Sequence, residues 1–278
     1  MSQSLPTVLI TGCSTGIGRA LAEEFNRQKF QVFATARNIE SLAGLEQKGV
    51  RIHALDVNNP EQITAVNHWI EAEAGHLDFL INNAGYAAIG PLTELPLPEL
   101  RQQFETNVLA PIVLIQTMLP LLRKASQGRI VNIGSISGIF VTPFAGAYCA
   151  SKAALHALSE ALRVELAPFN IQIIIVQPGA IRSHFGETAQ KQVAQNLKVD
   201  SMYHSIQAAI RARAMASQEN PTSAEVFARK LVKKITREKP PTVIRIGHGS
   251  SILPFLKRWL PDCWLDAILS KKFKLNQI

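Results

Sequence analysis

Thr11-Gly12-Cys13-Ser14-Thr15-Gly16-Ile17-Gly18 follows the apolar run Val8–Thr11 and leads into a helix-patterned stretch, Gly18–Gln28. Glycine supplies the positive φ values of such a turn. It also lets backbone N–H groups approach an anion at a helix start, where the dipole favours negative charge. Gly12, Ser14, Thr15, Gly16, Ile17 and Gly18 therefore form a candidate pyrophosphate cradle. The GxxxGxG spacing departs from the usual GxGxxG fingerprint, so a structural turn stays open on these residues alone. The strand before and helix after favour dinucleotide binding.

Working outward, short β-branched runs alternate with longer amphipathic stretches, the pattern of a parallel sheet covered by helices on both faces. Strands are predicted at Val8–Thr11, Gln31–Thr35, Arg51–Leu55, Phe79–Ile81, Ile130–Ile133, Ile171–Val176 and Val243–Ile246. Helices are predicted at Gly18–Gln28, Glu61–Glu73, Leu97–Lys124, Tyr148–Pro168 and Ser223–Arg237. No repeat, low-complexity tract or linker interrupts them, so residues 1–250 read as one α/β domain. Within it, the Gln-, Ala- and Ser-rich segment 184–220 reads as a mobile helical flap over the substrate. Residues 251–278 form a basic tail.

With 278 residues, 47% of them hydrophobic, the chain can build a sizeable core. Disordered, collagen-like and disulfide-scaffold classes do not fit this composition. Three widely spaced cysteines, Cys13, Cys149 and Cys263, suit reduced thiols in a cytoplasmic compartment, and no metal site is visible. The N-terminus lacks the features of a secretory signal. Val108–Leu122 is apolar but short and carries Pro111 and Pro120, so it reads as a buried core helix. Residues 229–278 hold twelve Lys/Arg against three Asp/Glu, a surplus exceeding the chain's net +8, so the remainder sums to −1. Charge concentrated in a tail points to a membrane surface or an anionic ligand, and not to nucleic acid.

At the end of the second strand, where an acid would grip a ribose 2′-hydroxyl, stands Arg37. Its guanidinium suits a 2′-phosphate and favours NADP(H); a solvated strand-end charge is the other reading. Asp56-Val57 and Asn83-Ala84-Gly85 follow the third and fourth strands. Singly they read as turns, but sites in open parallel sheets form at the carboxyl ends of strands. In Tyr148-Cys149-Ala150-Ser151-Lys152, positions i and i+4 share a helix face, so Lys152 can set its ammonium beside the Tyr148 phenol. An adjacent cation is expected to lower the phenol's pKa and make it a proton donor and acceptor near neutrality. Ser135 and Ser137 both offer a hydroxyl that could polarise a substrate oxygen. Asn107, inside an apolar helix, is either an internal hydrogen-bond anchor or part of the site.

Thr11–Gly18, Asn82–Gly85, Asn107, Ser135, Tyr148–Lys152 and Pro178-Gly179, in that order and spacing, resemble the short-chain dehydrogenase/reductase family. The resemblance runs from about residue 6 to 250. It implies a single Rossmann-type domain with strand order 3-2-1-4-5-6-7 and a catalytic tetrad of Asn107, Ser135, Tyr148 and Lys152. In that family the serine lies thirteen residues before the tyrosine, which selects Ser135. The implied roles are proton donation by Tyr148, carbonyl polarisation by Ser135 and grip of the nicotinamide ribose by Lys152. Asn107 would anchor a water leading to Lys152. Pro178, Gly179, Ile181 and Ser183 resemble the segment closing over the nicotinamide, with Ser183 where the family usually has threonine.

Gly138–Lys152 and the basic tail look most like the 17β-hydroxysteroid and retinol dehydrogenase group, and acyl-dihydroxyacetone-phosphate reductases are similar too. An NADPH-dependent reductase of a hydrophobic aldehyde or ketone is the resulting expectation, as a homodimer or homotetramer. A non-catalytic NADP-binding sensor is the rival from another class. In the tail, Ile252, Phe255, Trp259, Trp264 and Ile268 lie beside Lys257, Arg258, Lys271 and Lys272. They suit either a helix in a membrane interface or one packed on the body or a second subunit.

Overall fold

The computed structural model describes residues 5–196 and 200–278. Its seven strands are β1 Thr7–Ile10, β2 Gln31–Ala36, β3 Arg51–Ala54, β4 Phe79–Asn82, β5 Gly128–Ile133, β6 Ile171–Pro178 and β7 Val243–Ile246. They form one sheet in the order 3-2-1-4-5-6-7, every pairing parallel. Each strand expected from the sequence is present, with no end displaced by more than two residues and Val243–Ile246 matched at both ends. The chain winds outward from β1 to β3, then returns to place β4 on β1's other side. That reversal opens a crevice at the carboxyl ends of β1 and β4.

Strands β1, β4 and β5 are buried along their whole length, as strands covered on both faces should be. Helices Gly16–Arg27 and Ala224–Ile235 cover one face and contribute Leu21, Phe25, Phe227 and Leu231 to its core. Helices Pro60–Ala74 and Ala110–Lys124 cover the other with Ile63, Ile70, Leu114 and Met118.

Local chemistry sets the helix ends. Asn59 accepts a hydrogen bond from the Gln62 N–H, Pro60 takes the first helical position, and Gly75 closes the C-terminus at φ 74°. Ser223 likewise accepts from the Val226 N–H, after which Phe227, Leu231 and Ile235 recur every fourth residue toward the sheet.

The helical run Leu97–Lys124 is long and apolar enough by length and composition to cross a membrane, yet 56% of its most apolar window is buried. It is a core helix. Its middle, Glu105–Leu109, is a π-turn, an irregularity common at functional sites.

A third apolar cluster joins the 184–220 segment to the tail. Ala189, Val193, Ile206 and Ile210 pack with Phe144, Cys149 and Phe273, and with the half-buried Tyr148 and Phe185. Helices Phe185–Asn196 and Gln207–Met215 occupy most of the expected flap, of which 197–199 lie outside the described residues. The tail forms two helices, Ile252–Trp259 and Asp262–Lys272, separated at Leu260-Pro261.

Candidate active site

The cradle expected at the first βα junction is built as its residues suggest. Gly12 and Gly16 adopt φ of 71° and 57°. A Cβ on Gly18 would stand 2.2 Å from the Gly12 carbonyl oxygen, so only glycine brings the helix this close to β1. The Thr15 side chain caps nothing and the first turn of Gly16–Arg27 holds no acid. Its leading N–H groups and dipole are thus left for an anion, and the residues present fit a dinucleotide's pyrophosphate.

Asn83 braces this loop. Its side-chain amide donates to the carbonyls of Thr11 (2.8 Å) and Gly12 (3.1 Å), while the Thr11 hydroxyl accepts from the Asn83 and Ala84 N–H groups.

Arg37 and Asp56 follow β2 and β3, on the opposite side of β1 from Tyr148. Arg37 is exposed and forms no ion pair among the described residues. The Asp56 carboxylate accepts the Asn58 N–H at 3.0 Å. Val57 is 7% exposed, so it offers a ligand little besides backbone. At the other end, Ser183 crowds Gly16, where a Cβ would meet its own at 2.7 Å. Gly179 serves packing as well, because a Cβ there would stand 2.0 Å from the His248 carbonyl oxygen. Ile181 is buried in the main core.

Around Tyr148 the geometry tightens. Helix Gly146–Glu165 carries Tyr148 and Lys152, and Phe185 lays its ring 5.5 Å from that of Tyr148, centroid to centroid. Ser135, 8% exposed, faces the phenol, which separates it from Ser137. The Ser137 N–H instead donates to the Ser135 hydroxyl at 3.1 Å.

The expectation that Lys152 acidifies Tyr148 is corrected here. The Lys152 ammonium donates to the Ile133 carbonyl at 2.7 Å and lies 6.0 Å from the Tyr148 ring centroid. Burial pushes the phenol up to about 12, and the groups that pull it back are the Ser135 hydroxyl and, more weakly, Arg213. Burial also brings Lys152 down to about 8. Desolvation is the dominant cause for both groups, and Lys152 is not among the groups that lower the phenol.

Asn107 is 1% exposed and its polar atoms are engaged. The side-chain amide donates to the Tyr86 carbonyl (3.0 Å) and the Ser151 hydroxyl (3.1 Å), and Oδ1 accepts from the Tyr86 N–H (3.2 Å). Both readings left open by the sequence thus meet in one residue: it is an internal anchor, and it borders the site. Oδ1 lies beside Gly85, near the Lys152 Nζ. Only one Oδ1 lone pair is left for the implied water.

The sequence profile of the short chain dehydrogenase family matches residues 6–194. A short-chain dehydrogenase, ptmH, from Penicillium ochrochloron is 40% identical over 95% of this chain and 97% of its own length. The chain belongs to the short-chain dehydrogenase/reductase family. It is an NAD(P)-dependent oxidoreductase acting on CH–OH and C=O groups. The NADPH-dependent 1-acyldihydroxyacetone phosphate reductase of Saccharomyces cerevisiae is 31% identical over all of this chain and 94% of its own. The crystal structure of a short-chain dehydrogenase from Streptomyces avermitilis superposes with a TM-score of 0.81 at 30% identity, covering 99% of this chain and 98% of that one.

This dehydrogenase holds its site with residues that sequence reasoning passed over. Gln103, fully buried, donates to the Tyr86 carbonyl (2.8 Å) and accepts from the Ala88 N–H (2.6 Å). With Asn107 one turn later it clamps the loop after β4. A buried ladder runs from Asn82 to Asn132 (2.8 Å) and on to Ser159 (2.8 Å), tying β4 and β5 to the Tyr148 helix. His156 accepts the Ser135 N–H through Nε2 at 3.4 Å, and its ring fills the space beside Gly134 and Gly138. Arg213, on helix Gln207–Met215, donates to the Thr142 hydroxyl at 2.8 Å and forms no ion pair among the described residues. The available signal was polarity at helix-interior positions: Gln103 and Asn107, and Tyr148, Lys152, His156 and Ser159, are spaced by three or four residues.

Proposed function

We propose that this enzyme is an NADP(H)-dependent reductase of a hydrophobic aldehyde or ketone. The observation carrying this reading is the placement of the Tyr148 phenol, beside Ser135 and roofed by Phe185, within an apolar cluster. A phenol held at about 12 stays neutral at physiological pH, the form required to donate a proton. When bound, the dinucleotide supplies the hydride. Ser135 donates its hydroxyl to the carbonyl oxygen as charge develops there. Tyr148 then passes its proton to that oxygen, and the Ser135 hydroxyl and the Arg213 cation stabilise the phenolate left behind. Lys152, in the role the family resemblance implies, holds the nicotinamide ribose.

Arg37 supports NADP(H) over NAD(H), as does the NADPH dependence of the yeast relative. A second reading, an acyl ketone phosphate as substrate, is favoured by Arg213: a half-buried cation in no ion pair among the described residues, close enough to Tyr148 to lower its pKa, could receive a phosphate. Retinal and steroid ketones belong to the first reading. The buried Cys13 and Cys149 thiols suit a reducing, cytoplasmic compartment, and a homodimer or homotetramer is the proposed assembly, open to light scattering. Assaying retinal, steroid ketones and acyl ketone phosphates with NADPH and NADH in parallel tests both readings. Turnover with NADPH, weakened by Arg37→Asp, supports the cofactor assignment; activity with NADH alone overturns it.

A further inference from the structure

Along the first tail helix, Ile252, Phe255 and Trp259 are 60%, 60% and 67% exposed, and on the second Trp264 and Ile268 are 63% and 54% exposed. Each thus keeps more than half of its surface in water. Spacings of three, four and seven residues put each set on one helix face, and the Phe255 and Trp259 rings lie 6.2 Å apart. The helices already have an inner face: Pro254, Leu265 and Phe273 are buried. A helix lying on a globular body normally turns a polar face outward. Here the outward side is aromatic and aliphatic, flanked by Lys257, Arg258, Lys271, Lys272 and Lys274.

We propose that this face docks on an anionic lipid surface. Aromatic rings beside cations match the acyl and headgroup layers of a bilayer. Residues 251–278 carry five Lys/Arg against Asp262 and Asp266, and among the described residues Lys257 alone of the five is in an ion pair, with Asp262 at 2.6 Å. Two copies meeting through this face would bring like charges together, whereas anionic headgroups attract each one. The second helix also reaches the substrate lobe. Leu269 on it packs against the cluster that holds Tyr148, and Phe273, which ends it, sets its ring 6.1 Å from that of Phe144 in the same cluster. Docking therefore places the lobe beside the lipid, where a substrate with a hydrocarbon chain resides; that last step alone rests on the proposed reductase reading.

The test is flotation of the full-length protein with phosphatidylcholine vesicles, with and without phosphatidylserine, read independently of turnover. Wild-type protein should float with the anionic vesicles and be released by high salt. Trp259→Ala with Trp264→Ala, and separately Lys257→Glu with Arg258→Glu, should each reduce recovery about tenfold. Reduction of a water-soluble carbonyl should stay unchanged in both. Absence of wild-type flotation would overturn the proposal, as would recovery indifferent to the tryptophan pair. Concentration-dependent dimerisation abolished by Trp259→Ala with Trp264→Ala would instead assign the face to a second copy.

Discussion

Ser135 sits at the convergence of three constraints: its hydroxyl faces Tyr148, accepts the Ser137 N–H, and rides on a backbone whose N–H is held by His156. Removing the hydroxyl by Ser135→Ala takes away a donor aimed at charge that appears only in the transition state. The expected loss is about 10²–10³ in kcat with little change in KM, measured by steady-state kinetics. His156 acts at one remove, through position. Burial, reinforced by Lys152 and Arg245, lowers its pKa from 6.5 to about 4. Between those values the unfolded chain binds more protons than the native one, so stability falls as the pH drops from 6.5 toward 4 and is fully present above 6.5. The span corresponds to roughly 3 kcal/mol. Denaturant melts at pH 4.5 and 7.5 should show the difference, and His156→Gln should narrow it.

Elements, rather than single residues, explain which expectations survived. The Tyr148 helix was readable because i, i+4 chemistry and apolar spacing coincide there. The strands were readable because those at the sheet's centre are apolar throughout. The π-turn at Glu105–Leu109 was not, because its sequence is ordinary and the partners that Asn107 within it finds, Tyr86 and Ser151, lie far away in the chain. The relation between Tyr148 and Lys152 was likewise hidden: sequence places them one turn apart but cannot show that the Ile133 carbonyl holds the ammonium. Close packing of Gly134 and Gly138 on His156 was hidden for the same reason. A Cβ on Gly138 would stand 2.6 Å from the imidazole Cε1 and 2.8 Å from the Lys152 carbonyl carbon. Gly138→Ala should therefore cost about 1–3 kcal/mol of stability in urea melts. It should also impair kcat by displacing the Ser135 loop.

The whole molecule organises these parts along one edge. The cradle after β1, the Asn83 brace after β4 and Ser135 after β5 all stand at carboxyl ends of strands, with Tyr148 on the helix that follows β5. This is where the parallel order places a ligand crevice. Helices Phe185–Asn196 and Gln207–Met215 and the tail contribute to a separate apolar cluster against which Tyr148 packs. A phenol near 12 is ready to give a proton at neutral pH but slow to take one. Reduction should therefore hold its rate from pH 6 to 8, while alcohol oxidation should rise with pH, as paired initial-rate profiles would show.

Proton donation by Tyr148 is tested most directly by Tyr148→Phe, which keeps the ring against Phe185 and removes only the hydroxyl. NADPH binding by fluorescence should remain near wild type while single-turnover reduction of a carbonyl substrate falls at least about 10³-fold. Reduction at the wild-type rate in that variant would contradict the assignment.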